Sequence, residues 1–386
     1  MPLWAVGGPV RDLAVGLPVR DLDLATPDPA ALAEVLAATL DGRAHVEPRF
    51  GTASVTGSPA KAPWRVDLAA LRTEHYVRPG ALPTVRLGAT IEADLARRDF
   101  TVNAVALALT AEAGRGILDP FGGLDDLAAG RLRVLHAASF RDDATRLWRA
   151  ARFAARLRLR PDTETARCIA EGTRWLDAIS ARRLWREFAL VAAEPRATAA
   201  VRLLDRWGIL AAAHPALALD EESRAALGRA RGPLPAEVLL ALLLAGRGAA
   251  DRAAAVARLG APRDAARAVE DAAMLLALPP APPPAFATLE AAARSIPTAR
   301  AAVRLLDLDR RPLLTALARW ERTSAPLAAA EVAALGIAPD PRLGAALAEL
   351  RRARYVGTLS SAPAARALVR RWAAEGLPTA PERIRR

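Results

Sequence analysis

The 386-residue chain is poor in several residue types at once. Its single cysteine, Cys168, excludes an intrachain disulfide framework and points to a reducing, cytoplasmic setting. Its four histidines, His45, His75, His136 and His214, stand far apart and suggest no histidine metal site. No apolar run is long enough to cross a bilayer; the most apolar, Val238 to Gly246, reads as a core helix. The opening MPLWAVGG has neither the charged nor the apolar region of a secretory leader, so none is expected there. Lys61 is the sole lysine, although basic residues outnumber acidic ones 54 to 42. The net charge of +12 is therefore carried by arginine, whose planar fork grips phosphate oxygens in pairs. Such a balance favours a polyanionic partner.

What is abundant is alanine and leucine, within a hydrophobic content of 52%, which implies a soluble, helix-rich protein. The length implies two to four domains. Short apolar runs between turn signals predict strands over Leu3–Val6, Asp21–Ala25, Ala53–Thr56, Trp64–Ala69 and Thr84–Leu87. Helices are predicted over Pro9–Val15, Pro29–Leu40 and Phe100–Leu109. This mixed α/β region ends near residue 135, and the remainder reads as helix: Asp143–Leu159, Thr163–Ile179, Ala181–Ala193, Arg196–Trp207 and beyond. The proline-rich LPPAPPPAF, Leu278 to Phe286, is the linker candidate. No internal repeat is evident.

Chemistry-bearing residues cluster in the first half. Gly7 and Gly8 follow a predicted strand and precede a helix, where backbone can approach an anion, and Arg11 lies one turn further on. Asp21 and Asp23 stand two apart on a predicted strand and so share a face. Converging carboxylates repel unless a cation lies between them, and Mg²⁺ is the natural occupant. Asp67, on a later strand, makes a third acid suited to two-metal nucleotidyl transfer. In ARRDFTVNA, Arg97 and Arg98 precede Asp99, a candidate helix cap. DPFGGLDDLAAGRLR, Asp119 to Arg133, reads as strand, turn and short helix. Asp143, Arg146, Arg149 and Arg152 fall at steps of three along one slowly drifting helix face. The arginines there repel one another unless a triphosphate is bound. Asp143 and Arg146 suit the polar edge of a base: the carboxylate accepts from an amine and the guanidinium donates to ring nitrogen or carbonyl.

In order, GGPVRD, DLD, FGT, RRDFTVNA, DPFGG, DDATR and RAARFAARL resemble the class II tRNA nucleotidyltransferases, the CCA-adding enzymes and bacterial poly(A) polymerases, over roughly residues 3–195. The resemblance implies an α+β chain with a polymerase-beta-type head (1–135) and helical neck (136–195), body (196–278) and tail (279–386). It implies Mg²⁺-dependent transfer from CTP or ATP to the tRNA 3′ end. Asp21 and Asp23 match the metal pair, Gly8 and Arg11 the triphosphate contacts, and Arg98, Asp99 and Asn103 the nucleotide and ribose motif. Asp143 and Arg146 match the protein template that selects C and A, with Arg149 and Arg152 as further nucleotide contacts. ARRLWREF matches a neck-supporting motif only in part: Arg183 and Glu187 fit, and Arg182 replaces a glutamate. YVRPGALPTV, Tyr76 to Val85, lacks the Asp-Gly-Arg-type loop of many full CCA-adding members and resembles those that add only two cytidines. A poly(A) polymerase would share these motifs; a non-catalytic RNA-binding protein would have no reason to keep the Asp21/Asp23 pair. The tail is expected to hold tRNA phosphates through arginine, with clusters at Arg351-Arg352 and Arg385-Arg386.

Overall fold

The computed structural model describes residues 1–19, 22–57, 64–278 and 286–377. Asp21, the interior of the proline-rich segment and Arg385-Arg386 lie outside these residues. The chain forms two compact units: Met1–Leu239 with Arg247–Arg263, and Leu240–Gly246 with Asp264–Arg386.

The first unit opens with nine strands: β1 (Trp4–Val6), β2 (Leu22–Thr26), β3 (Arg43–Glu47), β4 (Thr52–Gly57), β5 (Trp64–Ala70), β6 (Arg72–His75), β7 (Thr84–Leu87), β8 (Ala106–Ala108) and β9 (Ile117–Leu118). Seven of them form one mixed sheet in the order β3-β4-β5-β2-β1-β8-β9, while β6 and β7 pair as a separate hairpin. Only β2 and β5 run parallel; the other pairs in this sheet are antiparallel. Helix α1 (Gly8–Ala14) follows β1, and α2 (Pro29–Thr39) begins at Asp28, whose side chain accepts from the Ala31 amide at 3.0 Å. One sheet face packs Leu24, Val55, Leu68 and Val105 with Val10 and Ala33. The other packs Trp4, Val6, Ala25 and Ala106 with Ile91 and Leu95 of α3 (Ile91–Ala96).

The helix expected over Phe100–Leu109 is absent: Thr101–Asn103 form one 3-10 turn, and Ala106–Ala108 are β8. Phe100, Val102, Ala104, Val105 and Ala106 are fully buried, and polar Thr101 and Asn103 are buried with them, so no exposed face separates helix from strand. Pairing with β1, Val6 opposite Ala106, decides for strand.

Six helices complete the site-bearing part: α4 (Gly123–Ala128), α5 (Ser139–Asp142), α6 (Thr145–Leu157), α7 (Thr163–Gly172), α8 (Ala181–Ala192) and α9 (Ala197–Arg206). The expected Thr163–Ile179 helix ends at Gly172, against Phe140, and continues as a 3-10 segment over Thr173–Ala178. Helix α6 buries Leu147, Trp148, Ala150, Ala151 and Ala154. Phe100 joins head and helices through edge contact with Phe153 at 6.0 Å and a tilted contact with Phe140 at 6.4 Å.

The second unit is helical. Trp320 and Tyr355 meet edge to face at 5.4 Å beside Phe286, and Leu327, Val332, Leu350, Val369 and Trp372 form a core of their own. No described helix is long and apolar enough to cross a membrane. Phe100→Ala should cost about 3–5 kcal/mol of first-unit stability, because it empties the head–helix junction. Urea unfolding followed by tryptophan fluorescence measures this.

Candidate active site

The parallel β2–β5 register sets Asp23 opposite Asp67. Leu24 and Leu68 point into the core under α2, so Asp23 and Asp67 share the other face, the one α3 packs on. Neighbouring strands lie about 4.8 Å apart, which brings two acids together on that face. Asp67 is partly exposed and is met by Arg65 at 2.6 Å. Among the described residues no three acidic, His or Cys side chains make a complete metal cage, and Asp21, two positions before Asp23, lies outside them. The described pair nonetheless fits a hard divalent cation, which takes carboxylate oxygens.

At the same end of the sheet β1 runs into Gly7. The Gly7 amide donates to the Val105 carbonyl at 2.9 Å, and its φ is +72°. Its left-handed conformation favours glycine, and a Cβ there would lie 2.6 Å from Arg98 Nη1, so the guanidinium lying across the turn would have to move aside. Arg98 donates from Nη2 to Asp94 at 3.1 Å, while its Nε is buried without a partner among the described residues. Buried Arg11 donates to Asn103 Oδ1 at 2.5 Å and to Asp12 at 2.6 and 2.8 Å. Asn103 in turn donates to Asp99 at 2.9 Å, and Asp99 also accepts from Arg149 at 2.7 Å. An unbroken set of bonds thus runs from α1 through the 3-10 turn to α6.

Asp143 ends α5 in extended conformation instead of opening the following helix. Its Oδ1 accepts from the Thr145 amide (3.0 Å), the Thr145 hydroxyl (2.7 Å) and Arg183 (2.7 Å). Oδ2 has no partner among the described residues. Buried Arg146 is fixed by Ser139 Oγ at 2.8 Å and by the Arg97 carbonyl at 2.7 Å. Arg152 donates to Glu194 at 3.0 Å and Glu187 at 3.4 Å, and Arg156 shares Glu194 at 2.7 Å. Four guanidinium groups, those of Arg11, Arg149, Arg152 and Arg156, lie 5.1–6.0 Å from the Phe153 ring centre.

Residues 3–133 match the Poly A polymerase head domain. A CC-adding tRNA nucleotidyltransferase of Deinococcus radiodurans is 35% identical over 369 residues, covering 95% of this chain and 88% of that protein. The chain belongs to the tRNA nucleotidyltransferase family. An A-adding tRNA nucleotidyltransferase of Geobacter sulfurreducens is 37% identical over 222 residues, but these make up 57% of this chain and only 25% of that relative. The fold is similar to that of a CCA-adding enzyme in an apo form, with TM-score 0.81 at 23% identity over 95% of this chain and 91% of that one. It is also similar to a Thermotoga maritima CCA-adding enzyme solved with tRNA, with TM-score 0.71 at 22% identity, 95% and 90% covered.

The electrostatics of this nucleotidyltransferase site follow from burial set against arginine. Burial alone would raise Asp99, yet Arg149 and Asn103 outweigh it and hold the carboxyl below its ordinary value. Asp94 behaves alike: burial opposes ionisation, and Arg97 and Arg98 override it. For Glu187 burial prevails, and the carboxyl is raised despite Arg149 and Arg152. Asp94 was missed in the sequence, although its spacing of three and four from Arg97 and Arg98 signals a helical pair. Glu74, at 2.6 Å from Arg97, and Glu194 left no such signal, because Arg97 lies 23 residues from Glu74, and Arg156 and Arg152 lie 38 and 42 from Glu194.

A carboxyl held low contributes stability above its unfolded-state value and loses it as pH falls through the folded-state value. Asp99→Asn should therefore cost on the order of 3 kcal/mol at neutral pH, the scale for breaking a buried pair. The gap from wild type should stay constant down to the ordinary Asp value of 3.8 and narrow only below it. Urea midpoints across that range check both parts.

Proposed function

We propose that this chain is a template-independent nucleotidyltransferase that adds two cytidines from CTP to the 3′ end of tRNA, in the cytoplasm and with Mg²⁺. The observation that carries the reading is the convergence at one end of the sheet: Asp23 in register with Asp67, beside the Gly7 turn spanned by Arg98. The restriction to CC rests on two supports. One is the similarity to a CC-adding relative along nearly the whole chain. The other is the Tyr76–Val85 loop, which lacks an Asp-Gly-Arg element.

Asp21, Asp23 and Asp67 would hold the metal, which when bound lowers the pKa of the attacking 3′ hydroxyl and neutralises charge on the departing pyrophosphate. Gly7 and Gly8 let phosphates approach the backbone. Arg98, with its unpartnered Nε, and Arg11 receive the triphosphate. Asp99 and Asn103 place the ribose, and Arg149 and Arg152 add nucleotide contacts. Asp143 Oδ2 accepts the exocyclic amine of cytosine or adenine, and Arg146 donates to the neighbouring ring position. Uracil would set a carbonyl against that carboxylate. Head, neck, body and tail are taken as 1–135, 136–195, 196–278 and 279–386.

Incubating tRNA transcripts that end before CCA, after C and after CC with CTP or ATP separates the readings. Cytidine should be added to the first two, and no adenylate to the third; a single A on the CC end would mean full CCA addition, and a long A tract a poly(A) polymerase. Asp23→Asn should lose at least about a hundredfold in CTP incorporation, the order expected when metal-assisted charge stabilisation is removed, with tRNA affinity kept.

In the second unit Arg311, Arg319 and Arg322 line an open groove with Tyr355. Arg351 is bound to the Trp320 and Thr323 carbonyls, and Arg352 to Glu290 and Glu349. Arg311 and Arg322 have no acidic partner among the described residues, which suits phosphate contact. Replacing both by alanine should weaken tRNA binding and flatten the log Kd against log salt slope by roughly 0.7–0.9 for each phosphate no longer neutralised. Titration at several salt concentrations checks it.

A further inference from the structure

We infer that Phe153 is a positioning residue for nucleotide binding, its ring holding Arg11 and Arg149 in fixed relation to each other. This rests on the nucleotide-contact roles proposed above for those two arginines. Phe153 lies on α6 and is buried. Helical spacing brings Arg149 and Arg156 onto its side of the helix, one turn before it and one turn after. Arg11 reaches the same ring from α1.

The guanidinium groups around the ring are not held alike. Arg152 and Arg156 are bound to Glu194, and Arg152 also to Glu187, so carboxylates on α8 and just beyond it set their places. Arg11 and Arg149 stand nearest the ring centre, at 5.1 and 5.6 Å. On their other side a polar bridge joins them: Arg11 to Asn103, Asn103 to Asp99, and Asp99 to Arg149. The ring closes this bridge into a circuit that spans α1, the 3-10 turn and α6. Asp12, the further partner of Arg11, belongs to the same helix as Arg11 and fixes nothing relative to α6.

The ring contributes charge distribution as well as bulk. Its face is electron-rich and attracts a guanidinium, most strongly where water is scarce. The Arg11 side chain is almost wholly buried, so water cannot stand in for that attraction. The Arg149 side chain is half-exposed and stays open to a ligand. An aliphatic side chain at position 153 would exclude water equally well but attract neither cation. Phe100 meets the ring nearly perpendicularly at 6.0 Å, which restrains its tilt.

The test measures CTP affinity of the full chain with Mg²⁺ and without tRNA. Replacing Phe153 by a difluorinated and then a trifluorinated phenylalanine keeps the shape and drains electrons from the face. The Kd for CTP should rise stepwise, reaching about fivefold with the trifluorinated ring, within the range of one desolvated cation–π contact. Phe153→Leu should raise Kd at least as much. Phe100→Leu breaks the same aromatic pair but leaves the Phe153 ring beside the arginines, and Kd should stay near wild type. Should the fluorinated chains not fold, these two leucine variants decide. A constant Kd along the fluorinated series overturns the proposal, even with a falling unfolding midpoint, because the ring would then serve stability alone. An equal rise in Phe153→Leu and Phe100→Leu overturns it too, since packing would explain both. Arg11→Gln and Arg149→Gln run alongside separate the two ideas. If they weaken CTP binding while the ring series does not, only the role of Phe153 fails. If neither weakens it, their assignment as nucleotide contacts fails, and the role of Phe153 with it.

Discussion

A single buried carboxylate, that of Asp99, couples the parts of this site. It accepts from the Phe100 amide, from Asn103 and from Arg149. Those bonds pin the 3-10 turn that leads into β8, orient the amide that holds Arg11, and draw α6 against the head. Burial makes that charge costly unless each oxygen is met, so the surrounding groups have little freedom. Phe100, the next residue, fills the apolar side of the same junction. Charge satisfaction and aromatic packing thus act at one place in the chain.

The arginine excess of the chain is not a diffuse coat around the site. Arg97 and Arg98 are held by Asp94, Arg149 by Asp99, and Arg152 and Arg156 by Glu194. Like-charged neighbours on α6 are tolerated because acids from other elements intervene and because Phe153 offers its ring between them. Pairing orders each guanidinium in advance, so that under the proposed function a triphosphate would meet groups already placed and little side-chain entropy would be lost on binding. Arg98 Nε is among the buried polar atoms left without a partner among the described residues, and it lies in the proposed triphosphate seat.

Much of the frame was legible residue by residue. Alternation and turn signals located β1, β2, β4, β5 and β7 to within a residue or two, and helical periodicity located α6, α8 and α9. The helix expected over Phe100–Leu109 did not form because residues 100–106 are buried on every side, and such a run carries no period. Strand β6, RTEH, carried no apolar residue, and β3, RAHVE, only Ala44 and Val46 between charged and polar neighbours. The acids at 21, 23 and 67 and the pair at 143 and 146 proposed to read the base were visible as residue types at telling spacings.

The sequence by itself determined the chemistry available: acids two apart on a strand, a glycine pair at its neighbour's end, and an acid and an arginine one turn apart. Spacing within one element is a local property, set by the period of strand or helix, and needs no partner to be read. Only the tertiary structure decided which groups meet. The register that sets Asp23 beside Asp67, the reach of Arg146 to the Arg97 carbonyl and the span of Arg183 from Asp143 to Gly80 join residues 40 to 103 positions apart. Such pairings depend on how sheet and helices pack, and that packing is settled by the buried faces of all of them together.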